Sequence, residues 1–142
     1  MDHVVYLDAN AKELDSLISQ KKTMIIRGAT GRKLPYGRIN QGDVLYFINN
    51  NAEGVILARA DVVSVINSDK LTQEESTQLV QSHQDKLQLT QKQFDRWAGK
   101  RYLVLIEVSD VKNIEPFRID KSGYGNMDDW LPVGDIDSVK AG

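Results

Sequence analysis

The segment "ISQKKTMIIRG" (Ile18–Gly28) decides how this chain is read. Its second half, "TMIIRG", is a short apolar run with strand propensity, stopped by Gly28. Its first half closes a helical pattern. In "NAKELDSLISQ", Leu14, Leu17 and Ile18 fall on one helix face, and Asn10 with Glu13 has the form of a capping box. Helix, basic turn, strand is therefore the opening order, with Lys21 and Lys22 at the junction and Arg27 at the strand's end.

Downstream, Gly28–Gly42 reads as a long glycine-rich loop in which Pro35 fixes its own φ and biases Leu34 away from helix. Long irregular loops in small domains are often functional. "DVLYFIN" (Asp43–Asn49) predicts a strand, and "NNNAEG" a turn. "GVILARADVVSVIN" (Gly54–Asn67) predicts a longer strand that pairs back as a hairpin. Its apolar alternation changes phase near Arg59–Val63, as at a bulge.

The segment from about 71 to 99 is helical, with capping boxes at Thr72/Glu75 and Thr90/Gln93 and a stop at Gly99. Phe94 and Trp97 share a face suited to core packing. "RYLVLIEVSDV" (Arg101–Val111) carries apolar residues on both faces, as a central strand does. "EPFRID" continues or pairs with it, and Pro116 suits an edge or a bulge. "KSGYGNMDDWLPV" reads as a loop or one helical turn, and "IDSVK" as a last strand. The fold class expected is α+β, mainly β: a small mixed or antiparallel barrel with flanking helices, in one domain over 1–142.

Composition narrows the chemistry. The chain has 142 residues, no cysteine and only His3 and His83, so thiolate chemistry is excluded and a local metal motif is not suggested. No cofactor is implied. No apolar run reaches the ~18–20 residues of a membrane span, and the N-terminus lacks the pattern of a signal peptide, so a cytoplasmic protein is expected. Net charge is −2, yet the window Lys21–Arg38 takes 6 of the 18 basic residues and none of the 20 acidic ones. That leaves −8 for the rest of the chain. The distribution points to a local anionic partner, since charge acts over a Debye length of ~8–10 Å.

Arginine forks suit phosphate, tyrosine can stack on a base, and glycine lets backbone approach a ligand. Lys22, Arg27, Arg32, Lys33 and Arg38 are the candidate phosphate contacts. Tyr36 either stacks a base or plugs the barrel end. Tyr124 and Trp130 either wall a base pocket or cover the sheet. "GATG" has the Gly-x-x-Gly form of some RNA-clamping loops, but four residues carry little specificity. The stretch "GATGRK" lacks the spacing and hydroxyl of a Walker loop. No nucleophile elbow is present, and Asp128 with Asp129 reads as a capping or solvated pair.

The element order, with "KKTMIIR" followed by "GD" and later "RYLVLIEV", resembles an ASCH domain of the PUA-like superfamily. That resemblance implies a small β-barrel and a cleft beside the first strand of its core, with RNA or a modified nucleotide as ligand, and a bacterial or phage source. The family motif Gly-x-Lys-x-x-Glu-x-Arg falls on Gln20–Arg27. Lys22 and Arg27 match; Gln20 and Ile25 replace the glycine and the glutamate. Some ASCH-like proteins resemble amidohydrolases of acylated cytidine, for which Lys22 and Thr23 would be the catalytic candidates. Isoleucine at the acid position removes the obvious proton carrier. The residues thus favour a nucleic-acid-binding module over a modified-nucleoside hydrolase unless another carboxylate, such as Glu53 or Glu107, enters the cleft. A protein-interaction domain is the third reading.

Overall fold

The computed structural model describes residues 1–120 and 129–141. Its elements run β1 (Asp2–Leu7), α1 (Glu13–Ile18), β2 (Met24–Ala29), β3 (Val44–Asn49), β4 (Val55–Asn67), α2 (Gln73–Ser82), α3 (Gln84–Leu87), α4 (Gln91–Trp97), β5 (Tyr102–Arg118) and β6 (Trp130–Gly134). A 3₁₀ turn (Ile136–Val139) follows. The six strands form one curled half-barrel in the order β2-β5-β4-β3-β1-β6. The β1–β3 pairing is parallel and the others are antiparallel.

Strand alternation sorts the core. On β5, Val104, Ile106 and Val108 join Ile25, Phe47 and Trp130 in the main cluster, which α1 caps with Leu14 and Leu17. Leu103 and Leu105 point the other way and pack with Met24, Ile26, Val80, Leu87 and Trp97 beneath α2–α4. A third cluster, from Val4, Tyr46, Ile48, Leu131, Ile136 and Val139, covers the β6 end. Fully burying a side chain such as Phe47 stabilises by about 1.5–3 kcal/mol.

The β3–β4 hairpin, the shifted register of β4 and the central position of β5 are as the sequence predicts. Both later capping boxes form, with Thr72 accepting from Glu75 N–H and Thr90 from Gln93 N–H. Pro116 lies where β5 has run past β2 and its register against β4 shifts, so no ladder bond is lost.

Four expectations are corrected. Asp2–Leu7 is a strand, and it sits between β3 and β6. Asn10 does not cap α1: Lys12 is the N-cap, with φ 53°, and the Glu13 carboxylate turns back to accept from Asp8 N–H at 3.1 Å. "WLPVG" is a strand because β1 offers it a partner. "IDSV" is a 3₁₀ turn, started by Asp135 accepting from Asp137 N–H. No helix among the described residues is long and apolar enough to cross a membrane.

Candidate functional site

A half-barrel leaves a seam between its two ends, here β2 on one side and β1 with β6 on the other. Alternation along β2 puts Arg27 on the same face as the core residue Ile25, one step nearer that seam. Arg27 laces it. Its Nη1 donates to Ile26 O and its Nη2 crosses to Tyr6 O of β1, both at 2.7 Å. Its guanidinium lies 5.6 Å from the Trp130 ring of β6 and 5.8 Å from Trp97 of α4. The side chain is 8% exposed. A buried guanidinium is costly unless paired, and the pairing is incomplete. Asp129 Oδ2 stands 3.2 Å from Nε, yet the two are not aligned, and Nε has no hydrogen-bond partner among the described residues.

The floor beneath Arg27 is a buried polar chain. Trp130 is fully buried, and its Nε1 donates to His3 Nδ1 at 3.1 Å. An indole only donates, so Nδ1 is the bare nitrogen and Nε2 carries the proton, which it gives to Asp43 Oδ2 at 2.8 Å. Burial lowers the His3 pKa, and the hydrogen bond and charge of Asp43 offset part of that. For Asp43, burial pushes the carboxyl up, but the bonds from His3 and from Asn40 N–H outweigh it and leave the pKa lowered.

Two cavities flank the arginine. One, of about 250 Å³, lies between the segment after β2 and α4. Its lining includes Arg27, Lys33, Arg96 and Lys100 with the rings of Tyr36, Trp97 and Tyr102. Gly28 and Gly31 keep its wall thin. The other, of about 380 Å³, reaches Tyr6, Glu13, Asn50 and Gln93. Arg27, Arg96, Trp97 and Asp129 wall both cavities. Arg96 Nη2 stands 3.9 Å from Asp129 Oδ2, with its guanidinium 4.4 Å from the Trp97 ring.

The structure divides the sequence candidates. Arg27, Lys33 and Tyr36 converge on the first cavity. Arg32 is exposed at its rim, 5.7 and 5.6 Å from the Tyr36 and Tyr102 rings. Tyr36 is held by its hydroxyl, which donates to Ser68 O at 2.6 Å, and by an edge contact with Tyr102 at 5.6 Å.

Arg38 is exposed and lines neither cavity. Trp130 cannot stack a ligand, because it is wholly inside, under Arg27. Lys22 is 2% exposed and already spent: Nζ donates to Leu87 O at 2.5 Å and lies 3.2 Å from Glu13 Oε2. Burial lowers its pKa, the Glu13 carboxylate draws it partly back, and the Arg27 charge adds to the lowering. Thr23 is anchored by backbone bonds to Lys86 and Val108 and lines neither cavity. Tyr124 and Asp128 lie outside the described residues.

Sequence reasoning missed Glu13, Arg96, Lys100, Tyr102 and Asp129. "RWAGKRY" (Arg96–Tyr102) has the same interleaving of basic, aromatic and glycine residues as the earlier loop, and that signal was available. Glu13 looked like a capping residue. Neither Glu53 nor Glu107 lines either cavity. Ile25 is fully buried in the main core, and the carboxylate that meets Lys22 is Glu13 of α1.

No family model matches the sequence. No curated protein matches it either. Solved structures do. ASCH from Zymomonas mobilis superposes with a TM-score of 0.68 at 14% identity, covering 99% of this chain and 96% of that one. Two point variants of ASCH from Zymomonas mobilis match with TM-scores of 0.68 and 0.67, also at 14% identity, covering 99% and 92% of this chain and 99% and 86% of theirs. An open mixed sheet with α1 at one end and α2–α4 on one face, matched over nearly the whole chain, establishes that this protein has an ASCH-like fold of the PUA-like kind.

Proposed function

We propose that this protein binds a nucleotide, free or as a unit of single-stranded RNA, in the cavity between the segment after β2 and α4. The observation that carries this reading is the cavity's lining: four basic side chains, three aromatic rings and one acid around about 250 Å³. That combination suits a phosphate and a ring together. The volume lies near the lower end of small-molecule sites, ~300–1,000 Å³, which favours one nucleotide unit over a long strand. Lys33 and Lys100 make no ion pair among the described residues, so their charge is available to a ligand.

Fluorescence anisotropy with a labelled single-stranded RNA, titrated over salt, tests it. If Lys33 and Lys100 each neutralise a phosphate at or beside the bound unit, together they contribute about −1.4 to the log–log slope. The paired substitution Lys33→Ala and Lys100→Ala should flatten that slope by about 1.4. Salt-independent binding, or none to any RNA or mononucleotide, rejects the proposal.

A second reading rests on Glu13. A buried lysine of lowered pKa beside a carboxylate is a common arrangement in acid/base sites. Glu13 lines the 380 Å³ cavity, whereas Lys22 stands behind it. Hydrolysis of an acylated nucleoside would then begin at Glu13. Incubation with a panel of modified nucleosides, read by mass spectrometry, decides it. Product formed by the wild type and lost in Glu13→Gln would support turnover; no product above a no-enzyme control would remove it.

A further inference from the structure

The partition between the two cavities is built from charges that do not balance. Two guanidinium groups, Arg27 and Arg96, share one carboxylate, Asp129. Arg27 Nε is a buried donor without a hydrogen bond among the described residues, and the carboxylate oxygen 3.2 Å away is misaligned for it. Arg27 has no freedom to improve the fit, since both Nη atoms are tied to backbone carbonyls. Asp129 has some. Its backbone is pinned by Tyr6 N–H donating to Asp129 O at 3.0 Å, but its side chain is 41% exposed. Rotation about the side-chain bonds alone would clear the space in front of Nε.

We propose that the Asp129 carboxylate occupies the place of a ligand phosphate, and that the ligand class of this cleft is a phosphorylated nucleotide rather than a nucleoside. On binding, phosphate oxygens take the hydrogen bond from Arg27 Nε and the contact of Arg96 Nη2, and Asp129 swings toward solvent. A tetrahedral anion has oxygens enough for both arginines at once, which the single Oδ2 does not achieve. Asp129 then acts as a threshold. An anion must out-compete a carboxylate already present, so neutral nucleosides gain nothing from the two arginines. This inference rests on the nucleotide reading of the cavity and deepens it.

The test is equilibrium binding of the four 5′-nucleoside monophosphates and their matched nucleosides, followed by calorimetry, to the wild type, Asp129→Asn, Asp129→Glu and Arg96→Ala. Asn keeps the shape and removes the charge, and thermal melts confirm that each variant folds. Asp129→Asn should tighten the best monophosphate by about three- to ten-fold, the size of one or two partly exposed ion pairs. Its effect on the nucleoside should stay within two-fold, Asp129→Glu should stay near the wild type, and Arg96→Ala should weaken the monophosphate alone. If Asp129→Asn leaves monophosphate affinity unchanged, lowers it, or tightens the nucleoside equally, the proposal is overturned. Should monophosphates bind the wild type through Lys33 and Lys100 with no gain in Asp129→Asn, the cavity reading stands and the phosphate place falls. Should neither monophosphates nor RNA bind any variant, the cavity reading fails and takes this inference with it.

Discussion

Glu13 Oε2 lies 3.2 Å from Lys22 Nζ across the junction of α1 and β2, with the two side chains 7% and 2% exposed. Removing one partner strands the other charge inside. Glu13→Ala should therefore cost about 3–5 kcal/mol in urea denaturation at pH 7. The double substitution Glu13→Gln and Lys22→Met should recover much of that loss, because neither charge is then buried alone. The pair also predicts a pH effect. The folded pKa of Lys22 is below its ordinary 10.5, so the unfolded chain holds that proton to higher pH. Stability from this group rises with pH from the lowered value up to about 10.5. Lys86 and Lys140, raised by their bonds to Glu107 and Asp137, act oppositely above 10.5. The difference between wild type and double variant isolates Lys22.

His3 should make the protein acid-sensitive at the near-neutral end. Its folded pKa is below 6.5, so its contribution is complete above 6.5 and is lost as pH falls through the folded value. Protonation there would also put a proton on Nδ1, against the Trp130 N–H. Urea midpoints between pH 7.5 and 4.5 should fall in the wild type, together with a shift in tryptophan emission. His3→Asn should start lower and change less over that range. Asp43, whose folded pKa is also lowered, extends the wild-type loss below about pH 3.8.

Tyr36 separates support from recognition. Tyr36→Phe loses the hydroxyl bond to Ser68 O and should cost about 0.5–1.5 kcal/mol of stability with ligand affinity kept. Tyr36→Ala removes the ring, and if a base stacks there, affinity should drop by about 1–3 kcal/mol. Thermal melts read the first and anisotropy the second. Equal affinity in both variants would assign the ring to packing alone.

Gly28 is required for space. A Cβ there would stand 2.7 Å from Leu103 Cδ2 and 3.2 Å from Tyr102 O, in a strand pair with little room to part. Gly28→Ala should destabilise by about 1–3 kcal/mol in chemical denaturation. Gly31→Ala, with nothing within 4 Å of its added Cβ, should leave stability within about 0.5 kcal/mol.

Patterns with a period were legible from the residues. Two apolar faces on β5 gave a central strand, and the two Thr-x-x-Glu/Gln boxes gave helix starts. β1 was not read because its five residues before Leu7 mix acid, histidine and tyrosine with only two valines. Its strand state comes from β3 and β6 on either side, which is tertiary information. Of the basic window, Arg27, Lys33 and Tyr36 line the first cavity, while Lys22 and Arg38 do not. A count of charges does not tell a side chain turned inward onto Glu13 from one turned out to solvent. The opposite wall, Arg96 to Tyr102, escaped because a helix-core reading of Trp97 was also correct: the ring packs under α4 with one side and walls the cavity with the other.

The seam has a consequence in time. Arg27 depends on Tyr6, Trp97, Asp129 and Trp130, so the cleft joins positions spread over more than a hundred residues of chain. During synthesis β1 must wait for β3 and then for β6, paying the loop-closure entropy before its neighbours arrive. A nascent chain halted at residue 120 would carry β2, β5 and every basic side chain of the first cavity, yet Arg27 would have no tryptophan floor across the seam. Burial of Trp130, read by its emission in stalled chains of increasing length, would thus act as a clock for the last step of assembly, complete only as residues 129 to 134 clear the ribosome.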